Sequence, residues 1–179
     1  MKTRVAEWMA VALLLAGSLS IGWADGHGSA ITGTPEWDKI KSLVGEWDGY
    51  FMEGGKKLEG HISVRMTGDG SAVMHWMDVG TPNEMVTMFH MDKTELMGTH
   101  YCAGHNQPRF RAVPSKDPTK VVFEFKDGTN IRPGDGFMRQ LTINFVDADH
   151  HNETWGYDSK GKISSATFFM TRSKKTAPK

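Results

Sequence analysis

Hydrophobic and polar residues alternate along most of this chain from residue 45 onward. Ten short runs show this period of two and are rich in β-branched, aromatic and methionine side chains, which is typical of β-strands. The runs cover residues 46–52, 58–66, 72–79, 85–91, 95–103, 110–113, 121–125, 138–145, 152–157 and 163–171. The pattern therefore predicts an all-β protein.

Turn-forming residues separate nearly every pair of runs, as at residues 54–55, 68–70, 126–128 and 132–136. Such short connections favour antiparallel neighbours. A meander of this many strands leaves two unpaired edges unless it closes on itself. We therefore predict an up-and-down antiparallel β-barrel of about ten strands, with an interior wide enough for packed side chains and one small ligand.

A different period precedes the first run. Thr34 is a good N-cap and Pro35 suits the first helical position, and apolar residues follow at Trp37, Ile40 and Leu43. This spacing predicts a short amphipathic helix of about two turns. Together with the strands, it predicts one β-barrel domain over residues 35–173.

The two ends of the chain have other compositions. Residues 1–24 combine Lys2 and Arg4, an apolar stretch over residues 8–21 and small residues before Asp25, which is the pattern of a cleaved signal peptide. The apolar stretch is shorter than the ~20 residues that span a bilayer, so we expect no stable membrane insertion after cleavage. We predict a secreted, periplasmic-type location, a flexible leader over residues 25–34 and a disordered tail over residues 174–179.

Charge and cysteine content exclude several classes of protein. Lysine and arginine number 21, as do aspartate and glutamate, and this balance does not favour a nucleic-acid partner. Cys102 is the single cysteine, so the chain has no internal disulfide. No nucleophile motif, phosphate-binding loop or zinc-protease motif occurs, so we expect a binding protein rather than an enzyme, acting as a monomer or homodimer.

The chemistry-bearing residues concentrate between residues 99 and 111. This stretch contains two histidines, the only cysteine, a tyrosine, two side-chain amides and two arginines. On a strand, residues two apart share a face, so His100 and Cys102 are expected to point to the same side. We predict that this segment forms part of the binding site.

Gly45-Glu46-Trp47, directly after the predicted helix, resembles the opening of the calycin superfamily, which includes lipocalins, fatty-acid-binding proteins and nitrobindin-like barrels. The resemblance implies that Trp47 closes one end of the barrel beside Arg172. The segments 100–102 and 106–109 are also similar to exported bacterial calycin-like proteins of unassigned function. Nitrobindin-like barrels hold haem through a histidine near the last strand, whereas residues 163–172 contain none, which argues against haem.

The leading functional hypothesis is that the barrel binds a small, largely apolar molecule in its interior, with an acidic head group as one option. By analogy with fatty-acid-binding barrels, Arg109 or Arg111 with Tyr101 would hold a carboxylate, and Glu153 is a potential internal partner for an arginine. The expected lining consists of Met74, Trp76, Met88, His90, His100, Tyr101, Cys102, Arg109, Arg111, Phe145 and Trp155.

The alternative hypothesis is a transition-metal or haem protein that uses His100, Cys102 and His105 as ligands. An enzyme, the least favoured reading, would use the same residues. Met85, Met88 and Met91 suggest a copper(I) site, but on a strand Met88 points away from the other two. The methionines are therefore interpreted as a deformable apolar lining.

Overall fold

The computed structural model describes residues 33–174. The predicted signal peptide, most of the predicted leader and nearly all of the predicted tail lie outside these residues. Among the described residues, no helix has the length and apolar character needed to cross a membrane.

The predicted helix is present as α1 (Pro35–Ser42). Thr34 is its N-cap, since the Thr34 side chain accepts a hydrogen bond from the backbone N–H of Trp37 at 3.3 Å. Trp37 and Ile40 are buried, and they belong to the same hydrophobic core as the strands. The helix is therefore held by its apolar face rather than by its length, which is short for an independent helix.

Ten antiparallel strands follow the helix, and the prediction of an all-β barrel is confirmed. Each strand pairs with its neighbours in sequence, and the first pairs with the last, which closes the barrel. The strands are β1 (Gly45–Glu53), β2 (Lys56–Thr67), β3 (Ala72–Met77), β4 (Met85–Asp92), β5 (Glu95–Tyr101), β6 (Gln107–Val113), β7 (Lys120–Thr129), β8 (Phe137–Phe145), β9 (His150–Ser159) and β10 (Lys162–Arg172).

One end of the barrel is closed by α1 and a cation–π contact. The Arg172 guanidinium lies 4.2 Å from the ring centre of Trp47, and the two residues are register partners across β1 and β10. Arg172 also donates to the carbonyl oxygens of Ser42 and Val44, at 3.1 and 3.0 Å. The arrangement expected of Trp47 and Arg172 is confirmed, and we call this the α1 end.

The opposite end, which we call the rim, carries the β1–β2, β3–β4, β5–β6, β7–β8 and β9–β10 turns. At the rim, one predicted boundary is wrong. Residues 126–128 form part of β7 rather than a turn, because a register shift at Arg109 and Phe110 lets β7 keep pairing with β6. An ion pair between Arg109 and Asp127 joins the two strands there.

Candidate functional site

The middle of the barrel is filled by rings from several strands. Trp155 on β9 lies with its ring centre 5.0 Å from that of His100 on β5 and 6.2 Å from that of His75 on β3. Phe110 on β6 contacts the same tryptophan at 6.4 Å. These strands are not neighbours of β9, so the four side chains meet inside the barrel. Alternation along each strand then identifies which residues face inward.

A buried carboxylate lies among these rings. Glu153 is 0% exposed, and its Oε1 is 2.8 Å from His75 Nε2 and 3.0 Å from His151 Nε2. Its Oε2 accepts a hydrogen bond from Trp155 Nε1 at 3.1 Å. Since a carboxylate only accepts, both histidines donate from Nε2, which leaves Nδ1 of each ring facing elsewhere.

Burial and hydrogen bonding act in opposite directions on Glu153. Burial by itself raises the pKa of this carboxyl, because the charged form loses its hydration. The charge on His75 and the hydrogen bonds from His151 and His75 outweigh burial and hold the pKa of Glu153 below its ordinary value. Glu153 is therefore an ionised, fully enclosed carboxylate.

His100 is the second buried polar group of the interior. Its Nδ1 is 2.8 Å from Thr87 Oγ1, and burial, with the nearby charge of His75, lowers the pKa of His100 to about 3. His100 is therefore neutral at ordinary pH. Its Nε2, together with Nδ1 of His75 and of His151, is buried without a hydrogen-bond partner among the described residues. Buried polar atoms without a hydrogen-bond partner are rare in folded proteins.

A polar cavity of about 440 Å³ lies at the rim, where the β5–β6 and β7–β8 turns meet the end of β9. We call it the rim cavity. It is lined by Gly104, His105, Asn106, Asn130, Arg132, Asp135, Gly136 and Tyr157. Three of these residues belong to the chemistry-rich stretch that the sequence singled out, four come from the β7–β8 turn, and Tyr157 comes from β9.

Asn106 joins the two turns that form the rim cavity. It is only 2% exposed, and its Nδ2 donates to the carbonyl oxygen of Gly136 at 2.9 Å. Its backbone carbonyl accepts from the N–H of Cys102 at 3.1 Å, which closes the β5–β6 turn. The Asn106 Oδ1 is buried with no donor among the described residues. This amide is therefore part of the cavity wall and has one unused acceptor.

The rim cavity also contains unpaired polar side chains. Arg132 is exposed, and within residues 33–174 its guanidinium has no hydrogen-bond or ion-pair partner. Asp135 accepts from the backbone N–H of Arg132 at 2.9 Å, which shapes the turn. Tyr157 packs so tightly over Gly136 that a Cβ there would lie 2.0 Å from the phenol oxygen. Because Gly136 has no side chain, the β7–β8 turn packs directly against Tyr157.

The structure divides the predicted lining residues between the two walls. His100 and Trp155 face the interior, and Phe145 lies on the inner wall with Leu141 and Ile143, partly buried against the core. Glu153 is internal as expected, but its partners are histidines and a tryptophan rather than an arginine.

The other predicted residues differ from the expected placement. His75, Thr87 and Phe110 point inward, so their strand neighbours Met74, Trp76, Met88, His90, Arg109 and Arg111 lie on the outer wall. Tyr101 is 51% exposed on the outer wall, and Cys102 is half-buried in the rim turn, where its Sγ accepts from the N–H of Gly104. Along each strand, alternate side chains face the interior and the outside of the barrel. The sequence interpretation placed most of the expected lining residues on the inner face, whereas they lie on the outer face.

The alternative metal ligands are not brought together. His100 is inside the barrel, Cys102 is in the rim turn and His105 is exposed on that turn with φ of +62°. Across residues 33–174, no group of three or more histidine, cysteine, aspartate or glutamate side chains is placed to hold a metal ion.

Haem does not fit the interior either. Nε2 of His75 and Nε2 of His151 are engaged by Glu153, and the ring of Trp155 packs between His75 and His100. These side chains pack against one another in the middle of the barrel.

Sequence reasoning missed His75 and His151, and also Arg132, Asp135 and Tyr157 at the rim. A signal for the first two exists, since each histidine sits at an apolar position of its strand: His75 shares a parity with Val73 and Met77. The rim residues carry no comparable pattern, because polar turn residues are ordinary in any barrel.

Comparison with known proteins identifies no family. No family model matches the chain. No curated protein matches it at a significant level either.

Two solved structures share the fold. A protein of unknown function from the DUF3598 family of Nostoc punctiforme PCC 73102 superposes with a TM-score of 0.53 and 10% identity, over 75% of this chain and 49% of that one. This chain therefore spans about half the length of that protein. Rv2717c from M. tuberculosis superposes with a TM-score of 0.52 and 12% identity, over 80% of this chain and 100% of that one. At these identities the likeness concerns the fold alone.

Proposed function

We propose that this protein is a calycin-type barrel that binds a small molecule in the rim cavity. The observation that carries the proposal is the position of Asn106, which is buried in the cavity wall with an unused acceptor. Binding sites in proteins are concave and contain a few fixed polar groups, and an unsatisfied buried group is worth about 1–3 kcal/mol to any ligand that satisfies it.

The sequence interpretation places a largely apolar ligand inside the barrel. Two features favour the rim and a polar ligand instead. The centre of the barrel is occupied by Trp155 and its ring neighbours, whereas the rim cavity has about 440 Å³ of space. The cavity lining is also dominated by amide, guanidinium, carboxylate and phenol groups.

The proposal is tested by solution NMR with a panel of small polar probes: glycolate, glycine, acetate, ethylene glycol and urea. We expect at least one probe to shift the backbone amides of Gly104, His105 and Gly136, with saturation. The variant Gly136→Ala should abolish these shifts, because its Cβ displaces Tyr157 from the cavity wall. Gly80→Ala is the matched control, since Gly80 lies in another rim turn with nothing within 4 Å of its Cβ position. A panel without any saturable shift at these amides would rule the proposal out.

We also propose that the chain is exported, on the strength of the signal-peptide pattern in residues 1–24. Expression of the full chain in a bacterial host should yield a periplasmic protein whose mass corresponds to a start at Asp25. Recovery of the uncleaved chain from the cytosol alone would contradict export.

A further inference from the structure

Arg132 carries the only guanidinium of the rim cavity lining, and it has no partner among the described residues. Within the described residues its guanidinium has no acceptor, while Asp135 is engaged by the backbone N–H of Arg132. A guanidinium presents a planar fork of N–H donors that matches a carboxylate. A free arginine in a polar concavity thus favours an anionic oxygen pair as its partner.

Asn106 needs a hydrogen-bond donor from the ligand rather than an acceptor. Its Nδ2 donates one of its two N–H groups to the carbonyl oxygen of Gly136, whereas Oδ1, which can only accept, has no donor among the described residues. A fully ionised carboxylate has no proton to donate to it. The ligand must therefore bring an O–H or N–H group as well as an anion.

From these two demands, and resting on the proposed function of the rim cavity, we infer the class of ligand. We propose that the rim cavity binds a small carboxylic acid with a hydroxyl or amino group beside the carboxylate, such as a 2-hydroxy acid or an amino acid. Arg132 holds the carboxylate, and Asn106 Oδ1 accepts from the hydroxyl or ammonium group.

Binding requires a small movement of the β5–β6 turn, because Asn106 Oδ1 is enclosed in the free protein. A Cβ on Gly104 would meet only Cys102 Sγ and Asn106 Nδ2, at 3.5 and 3.9 Å, so Gly104 lies directly against the Asn106 side chain. The amides of Gly104 and His105 should therefore report on the hydroxyl or amino group, and the side-chain Nε–H of Arg132 on the carboxylate.

The test compares the dissociation constants of four probes, measured by NMR titration. Glycolate and glycine carry both features, acetate carries only the carboxylate, and ethylene glycol carries only hydroxyls. We expect glycolate or glycine to bind about tenfold more tightly than acetate and than ethylene glycol, as one buried hydrogen bond or one charge-assisted pair allows.

A variant assigns the role of Arg132. Arg132→Gln should weaken glycolate or glycine about tenfold or more and leave ethylene glycol unchanged. Arg111→Gln is the matched control, because Arg111 is an exposed arginine of the outer wall, and it should change neither probe. The role of Asn106 Oδ1 is assigned by comparing glycolate with acetate in the wild-type protein, because a substitution of Asn106 would also remove the amide donor to the Gly136 carbonyl oxygen.

The possible failures are distinguishable. If neutral probes bind at the rim amides as tightly as glycolate, and Arg132→Gln has no effect, the ligand class is wrong while the rim remains a binding site. If no probe of any charge shifts these amides, the ligand class and the proposed function fall together.

Discussion

Glu153 and His100 show how single residues inside this barrel tolerate burial in different ways. Glu153 stays charged because three donors surround its oxygens, which offset the lost hydration. His100 has a single hydroxyl partner and stays neutral. The two groups are close in space, since both lie against Trp155, and the charge of His75 lowers the pKa of both, which favours the ionised form of Glu153 and the neutral form of His100.

The neutral state of His100 predicts acid sensitivity. Its pKa is lowered to about 3, so the unfolded chain binds a proton at higher pH than the folded chain does. Stability due to this histidine is complete above pH ~6.5 and is lost as pH falls toward 3. We expect a loss of about 2 to 3 kcal/mol between pH 7 and pH ~4.5, measured by urea unfolding.

The variant His100→Gln should flatten this pH dependence, because glutamine does not titrate. His90→Gln, on the outer wall, should preserve it. The pKa of Glu153 is also lowered, so its contribution to stability also falls as the pH falls. This loss occurs only below pH ~4.5, where the unfolded carboxyl begins to bind protons. Equal slopes for wild type and His100→Gln between pH 7 and pH 5 would contradict the assignment.

Removal of the Glu153 charge should destabilise the barrel strongly. In Glu153→Gln, the amide cannot accept from two histidines and a tryptophan at once, and we expect a loss of about 3 to 5 kcal/mol at neutral pH. Glu124→Gln is the control, since Glu124 is exposed on β7. Chemical denaturation midpoints for both variants measure the difference, and equal midpoints would refute a central role for Glu153.

At the scale of elements, α1 depends on the last residue of β10. The guanidinium of Arg172 donates to the carbonyl oxygen of Ser42, the last residue of α1, and to that of Val44 just beyond it. Carbonyl groups at a helix end have no partners within the helix itself. Gly45, directly after the helix, has φ of +140°, and a Cβ there would lie 2.7 Å from Arg172 Nη1. The glycine therefore leaves the arginine room to reach the helix.

Gly45→Ala should cost about 2 kcal/mol more than Gly80→Ala. Both glycines have positive φ, so both variants include the backbone strain of a side chain. Only Gly45→Ala also displaces Arg172. Thermal and urea unfolding of the two variants give the comparison, and a similar cost for both would show that strain alone explains Gly45.

At the scale of the whole molecule, closure distinguishes this fold from an open sheet. β1 and β10 are the first and last strands, and five register pairs join them. A closed barrel has no edge strand and therefore no row of unpaired backbone groups.

Closure predicts uniform protection of the strands. In hydrogen–deuterium exchange, paired amides of β1 and β10 should exchange as slowly as those of β5 and β9, which lie elsewhere in the barrel wall. The exposed β3–β4 turn serves as the fast-exchanging reference. Fast exchange confined to β1 and β10 would indicate an open seam.

Much of this architecture is readable in the sequence. The period of two identifies all ten strands, and the turn residues between them imply antiparallel neighbours. Gly45-Glu46-Trp47 marks the α1 end, where Trp47 meets Arg172 as expected. The turn predicted at residues 126–128 failed because pairing with β6 continues through a bulge, and a bulge depends on the partner strand.

The sequence by itself determined the strands, their order and the helix, because these follow from local periodicity and turn chemistry. Tertiary structure alone decided which parity faces inward. On β3 both parities carry large apolar side chains, and His75 takes the inner position because Glu153, 78 residues away, accepts a hydrogen bond from it. The rim cavity likewise exists only where two distant turns meet Tyr157. Contacts between residues far apart in the chain leave no local pattern, and the interior and the rim are both built from such contacts.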